Sequence, residues 1–249
     1  MSNIQIITIT KQNIHSYPPR CFLKPDNPGQ IQKNKWVVDR ISEGMTVKLL
    51  YIDKKLSGYI EYIPGIHAWR AVDAKKYLFI HCIWMYPNKH KDQGLGSRLI
   101  KECIDDAKAL DLCGVSVVTS DDSFMASKDI FEKNGFTIVQ EDSPFQLLAN
   151  NLKHCDPPSF KDYKEQLKKL KGTHIVYSHQ CPWVNRFMHE NMDEIKKIGI
   201  TVTELKNAED AQHAPSIYAS FSLINDGNLL VDHYISKRRF DTLIKKAMK

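Results

Sequence analysis

Between Tyr77 and Leu110 the chain passes from an apolar run, through a polar turn bearing two glycines, into a stretch with helical periodicity. Leu78 to Trp84 is rich in aromatic and branched residues, the composition of a largely buried strand, and Tyr86-Pro87-Asn88 ends it. Leu95, Leu99, Ile100, Cys103, Ile104 and Ala107 then recur at spacings of three and four, which makes one apolar helix face whose first turn lies near Gly94 to Ser97. The first amides of a helix have no partner inside it, and the dipole leaves partial positive charge there, so this turn suits an anion. Because they lack a Cβ, Gly94 and Gly96 let a phosphate come close to the backbone.

Spacing separates the anion-binding motifs that could stand here. A Walker loop needs Gly-Lys followed by Ser or Thr, which the chain lacks, and a dinucleotide fingerprint needs a third glycine where Leu99 stands. The pattern that fits is Met85-Tyr86-Pro87 followed by Lys91-Asp92-Gln93-Gly94-Leu95-Gly96, after a strand and before an amphipathic helix. It resembles the acetyl-CoA motif of the GCN5-related N-acetyltransferase (GNAT) superfamily, with Lys91 where Arg or Gln is usual. Ile130-Phe131-Glu132-Lys133-Asn134-Gly135-Phe136 resembles a second segment of these enzymes, in which Phe131 replaces the tyrosine that often protonates departing CoA.

The expected order around these motifs is an opening strand (4–10), helical segments over 13–21 and 31–44, and a hairpin of strands 46–53 and 56–63. After a polar excursion at 67–76 come the central strand and helix, a strand at 114–119, a helix over 124–134 and a strand at 136–141. The resemblance implies a mixed, mostly antiparallel sheet flanked by helices, with the strands at 77–86 and 114–119 splayed so that the pantetheine arm of acetyl-CoA lies between them. It further implies that main-chain groups of Lys91, Asp92, Gln93, Gly94, Leu95, Gly96 and Ser97 hold the pyrophosphate, and those of Ile83, Trp84 and Met85 the pantetheine and thioester. The acetyl group then passes directly to an amine of a small molecule or peptide. An amine is protonated at neutral pH, so a base must take its proton. His81 and Glu61 are the candidates; His81, two residues before Ile83, is expected on the same strand face as Ile83.

Composition narrows the alternatives. The net charge of +6 is thinly spread, with one basic concentration at Lys237-Arg238-Arg239, and a nucleic-acid role would want a denser stripe interleaved with aromatics. No segment reaches the roughly 20 apolar residues of a membrane span, and the alternating residues from Ile4 to Thr10 do not form a signal peptide, so a cytoplasmic protein is expected. The cysteines at 21, 82, 103, 113, 155 and 181 have neither framework nor zinc-ligand spacing, so reduced thiols and no metal site are expected. Cys82 and Cys103 read as small core hydrophobes.

Asp156-Pro157-Pro158-Ser159 breaks the strand before it and leads into a lysine-rich amphipathic stretch, which divides the chain into a domain over 1–156 and one over 157–249. The second part reads as strand, helix, strand, short helix, hairpin and terminal helix. With Cys181 at a helix start and Ala214-Pro215-Ser216 before the hairpin, this α/β order resembles a thioredoxin-like domain, and Gln180-Cys181-Pro182-Trp183 resembles the YoaP-like module found behind GNAT domains. The thioredoxin pattern implies a cis bond at Pro215. Val184 stands where the resolving cysteine would be, so no dithiol cycle is expected within this pair, while a helix start could lower the Cys181 pKa and leave a single-thiol role open. The functional expectation is an acetyl-CoA-dependent N-acetyltransferase; the alternative is a CoA-binding or protein-binding module without catalysis.

Overall fold

The computed structural model describes residues 3–21, 23–86, 93–121 and 125–247. In chain order its elements are β1 (Ile4–Thr8), α1 (Pro28–Ile41), β2 (Thr46–Ile52), β3 (Lys55–Pro64), β4 (Val72–Asp73), β5 (Tyr77–Met85), α2 (Leu95–Ala109), β6 (Gly114–Ser120), α3 (Lys128–Glu132), β7 (Thr137–Asp142), β8 (Phe145–Asn151) and β9 (Ser159–Phe160). There follow α4 (Tyr163–Lys168), β10 (Thr173–Tyr177), α5 (Pro182–Lys197), β11 (Thr201–Glu204), α6 (Ala208–Gln212), β12 (Phe221–Asn225), β13 (Asn228–Val231) and α7 (Lys237–Ala247). By its contacts the chain forms two compact units, one of residues 1–19, 38–68 and 73–160, the other of residues 20–37, 69–72 and 161–249.

Among the described residues, the first unit holds a seven-stranded sheet in the order β1-β2-β3-β5-β6-β8-β7, in which β5 and β6 run parallel and every other pair antiparallel. The β2–β3 hairpin turns on Asp53 and Lys54, both left-handed at φ 48° and 65°, the twist that suits a two-residue connection. The Asp53 carboxylate accepts from the Asn3 amide at 2.9 Å, fastening the turn to the start of β1. α2 lays Leu95, Leu99, Ile100, Cys103 and Ala107 on one face of this sheet, against Leu50, Ile60, Tyr62, Leu78, Ile80, Val115 and Val117. Its far half is tied down by Lys48, whose buried ammonium lies 3.0 Å from both Glu102 and Asp106, while the Tyr62 hydroxyl donates to Asp106. Burial is the largest influence on Lys48 and pushes its pKa down, but the hydrogen bonds and charges of the two carboxylates together hold it above 10.5.

Three expectations change here. Residues 13–21 form turns rather than a helix, because Thr10 and Asn13 bond each other's amides at 2.8 and 3.2 Å and Pro18-Pro19 follow. The segment read as a polar excursion is largely inside, with Ala68, Trp69, Arg70, Ala71, Val72 and Ala74 all buried. Cys113 and Cys155 form a disulfide, so the expectation of six reduced thiols fails for this pair; the 42-residue separation gave no framework pattern, yet the end of β8 brings them together.

The second unit holds a four-stranded sheet in the order β11-β10-β12-β13, with β10 and β11 parallel across α5 and the other pairs antiparallel. The β12–β13 turn is Asp226-Gly227, again left-handed at φ 45° and 74°. Val184, Phe187, Met188 and Ile195 of α5 pack with Phe240 and Ile244 of α7 over Ile175, Phe221 and Leu223. This is the expected strand and helix order. The bond before Pro215 is not cis; among the described residues Ser143-Pro144 is the cis peptide. No described helix is long and apolar enough to cross a membrane.

Candidate active site

The parallel ladder between β5 and β6 runs from Tyr77–Gly114 to Ile80–Val117 and stops there, although β5 continues to Met85 and β6 to Ser120. Each strand follows its outer neighbour beyond that point. Ile83, Trp84 and Met85 keep register with Ile60, Tyr59 and Gly58 of β3, and Val118, Thr119 and Ser120 keep register with Leu147, Gln146 and Phe145 of β8. The result is the splay expected of these two strands, and the stretch of β5 from Cys82 onward meets β6 through no ladder. An extended chain carrying amide groups fits such an edge as an added strand.

His81 sits where the splay begins. Tyr62 pairs with Ile80 and Glu61 with Cys82, so His81 is the extra residue of a β-bulge. The bulge resets the alternation. Ile83 and Met85 pack into the α2-side core, whereas His81 lies on the other face, its ring 5.5 Å from that of Phe79 and its Nδ1 3.6 Å from Glu61 Oε1. The expectation that His81 and Ile83 share a face is therefore wrong, for a reason that strand periodicity cannot contain. Glu61 and His81 are brought together, and neither side chain is exposed. The other oxygen of Glu61, Oε2, accepts from the Tyr59 hydroxyl, and the Tyr59 ring stacks on Trp84 at 5.9 Å and 10°. Tyr59 was not among the sequence candidates; its place two residues before Glu61 on the same strand was the available signal.

At the start of α2, Gly94 is the cap residue, at φ 71°, and its carbonyl takes the first helical hydrogen bond, from Arg98 N at 2.9 Å. The amides of Leu95, Gly96 and Ser97 belong to the turn that has no acceptor within a helix. Among the described residues a Cβ on Gly94 would meet nothing within 4 Å; one on Gly96 would stand 2.7 Å from Ile130 Cδ1, so that glycine also serves packing. Asn134 Nδ2 donates to Ser97 Oγ at 2.9 Å and to the Ile130 carbonyl at 2.7 Å, joining the second motif to the first. First-turn helix amides beside an unladdered strand edge fit a diphosphate followed by an amide-bearing arm. Of the residues expected to grip it, Gln93, Gly94, Leu95, Gly96 and Ser97 lie here, while Lys91 and Asp92 fall outside the described residues.

Phe131 is a core residue, 1% exposed, packed edge to face on Phe136 at 5.5 Å. Cys103 is fully buried, which pushes its thiol well above 9.0. In the second unit Cys181 caps α5, but burial raises its thiol above the usual value against the opposing pull of the Val184 and Trp183 amides and of Lys33 and Arg70. His179 offers it no base: its Nδ1 is 2.8 Å from Asn185 Oδ1 and its Nε2 3.3 Å from Glu204 Oε1. Burial thus works against the lowered pKa on which a single-thiol role depends. Among the described residues no three His, Cys, Asp or Glu side chains are grouped to hold a metal.

Comparison with known proteins identifies the family. The model of the acetyltransferase (GNAT) family matches residues 11–136, and one described as YoaP-like matches residues 200–242. A Bacillus subtilis (strain 168) protein described as the uncharacterized N-acetyltransferase YoaP is 31% identical, over 96% of this chain and 97% of its own length. Among solved structures, an acetyltransferase of Salmonella typhimurium with acetyl-CoA is 16% identical with a TM-score of 0.44, over 63% of this chain and 98% of the other. A GNAT-family acetyltransferase of Staphylococcus aureus Mu50 is 16% identical with a TM-score of 0.42, over 61% and 100%. By the family match across its first half and the end-to-end similarity to a named N-acetyltransferase, the chain belongs to the acetyltransferase (GNAT) family, enzymes whose acetyl donor is acetyl-CoA.

Proposed function

We propose that this enzyme transfers the acetyl group of acetyl-CoA directly to an amine of a small molecule or peptide, with Glu61 and His81 as the groups that take up the amine's proton. The observation that carries the reading is the end of the β5–β6 ladder at Ile80–Val117, one residue before the bulge that sets His81 beside Glu61. The diphosphate would rest on the amides from Gln93 to Ser97, and the thioester arm along Ile83, Trp84 and Met85, so that the acyl carbon meets the bulge. Main-chain donors on that strand would stabilise the oxyanion, an effect for which removing one donor typically costs about 10² to 10³ in rate. The CoA thiol needs no strong acid, since with a pKa of about 8.5 it leaves as thiolate near neutral pH; that agrees with a phenylalanine at position 131. We place the activity in the cytoplasm, and we read 157–249 as a separate YoaP-like domain with a thioredoxin-like strand order.

CoA release from acetyl-CoA is the direct test, measured against a panel of alkylamines, amino-acid esters and peptide N-termini. A primary amine should accelerate thiol release, and Glu61→Gln or His81→Ala should lower kcat by about 10² or more while CoA binding persists. A trapped acetyl-enzyme would overturn direct transfer. The burial of Phe131 and of both candidate bases favours a second reading, a CoA-binding module without turnover. Calorimetric CoA binding with no amine-dependent thiol release would select it.

A further inference from the structure

Resting on the base assignment above, we propose that Tyr59 is a positioning residue for the transfer reaction: it fixes the rotation of the Glu61 carboxylate so that one oxygen faces His81. The two carboxylate oxygens have different partners. Oε2 accepts from the Tyr59 hydroxyl, and Oε1 is the one 3.6 Å from His81 Nδ1. Both tyrosine and carboxylate lie on β3, two residues apart and on the same face, so the bond costs little chain entropy to form. Tyr59 is itself held. It pairs directly with Trp84 across the β3–β5 ladder, the rings nearly parallel at 10°, and it is buried at 3% exposure. A phenol locked at its ring and bonded at its hydroxyl holds the carboxylate in one orientation, and the bulge brings His81 to 3.6 Å from its other oxygen. The same stack connects this pair to Trp84, whose main chain lies on the strand edge assigned to the thioester arm, so the ring that orients the base also braces that edge.

The inference is tested with Tyr59→Phe, Glu61→Gln and the double variant in the full chain. At one fixed pH, the 15N resonances of the His81 imidazole should move in Tyr59→Phe in the same direction as in Glu61→Gln, while the melting midpoint and CoA affinity change little. In the acetyl-CoA assay, Tyr59→Phe should lower kcat about ten- to a hundredfold with KM for acetyl-CoA unchanged, the scale of one hydrogen bond to a charged group. The double variant should be no slower than Glu61→Gln, because Tyr59 acts only through that carboxylate. A His81 spectrum unmoved by Tyr59→Phe, or losses that multiply in the double variant, would overturn the proposal. If His81 responds as expected but Glu61→Gln leaves kcat intact, the base assignment fails and this role in the reaction falls with it. Normal turnover in Tyr59→Phe beside a slow Glu61→Gln would refute the role of Tyr59 alone.

Discussion

Gly94 and Gly96 stand two residues apart in one motif and answer to different constraints. Gly94 holds φ 71° and a Cβ there would meet none of the described residues within 4 Å, so Gly94→Ala carries the left-handed penalty alone, about 1 to 2 kcal/mol. Gly96→Ala presses on the Ile130 terminal methyl at 2.7 Å, which can swing aside, so its loss in chemical denaturation should be the smaller of the two. Gly94→Ala should weaken CoA binding by calorimetry, since it strains the turn that presents the amides at the start of α2, and Gly96→Ala should do so less. Phe131 makes a sharper case. Restoring the family's tyrosine by Phe131→Tyr would put a hydroxyl into a packed site against Phe136, at a cost of about 1 to 3 kcal/mol where no partner is found, and turnover should not rise. A faster Phe131→Tyr enzyme would mean that the position still reaches the leaving thiol.

At the scale of elements, α2 is pinned to the sheet through Lys48, and this makes the first unit sensitive to alkali. The Lys48 pKa is raised above 10.5 in the folded chain, so its contribution is complete below the unfolded value and is lost as pH climbs through the folded one. Tyr62, raised mainly by burial, adds a loss of the same sign. Denaturation midpoints taken below and above pH 10.5 should fall in the native chain and fall less in Lys48→Met. Elements with strong local patterning, β5 and α2 above all, were legible in the sequence, as was the turn from Gly94 to Ser97, whereas the divergence of β5 from β6 was expected from the family resemblance alone. The bulge at His81 was not, because it depends on the register between two strands and no single strand records it. Nor was the burial of Glu61, which alternates with apolar residues as a solvent-facing carboxylate would. The turns at 13–21 escaped as well, since side-chain bonds between Thr10 and Asn13 outweighed a weak helical pattern.

For the molecule as a whole, the Cys113–Cys155 bond closes a loop that spans β6, α3, β7 and β8. Closing a loop of this length removes enough freedom from the unfolded chain to contribute about 2 to 4 kcal/mol. Cys113→Ser, or incubation with a strong dithiol, should lower stability by that amount, and thiol titration of the untreated unfolded protein should find Cys21, Cys82, Cys103 and Cys181 reactive. Equal stability with and without reductant would show that the bond is not formed in solution. The second unit is also assembled from distant parts of the chain. Gly29 lies against α5 and its carbonyl accepts from Asn185 Nδ2 at 3.2 Å, Arg70 donates to Gln180, and Ala71 N bonds the Ile217 carbonyl at 3.3 Å. A ribosome delivers residues 20–37 and 69–72 long before residues 161–249 exist to receive them. Trp36, Trp69 and their neighbours thus emerge as orphans, and a nascent polypeptide must keep them from wrong associations until the last helix has left the exit tunnel.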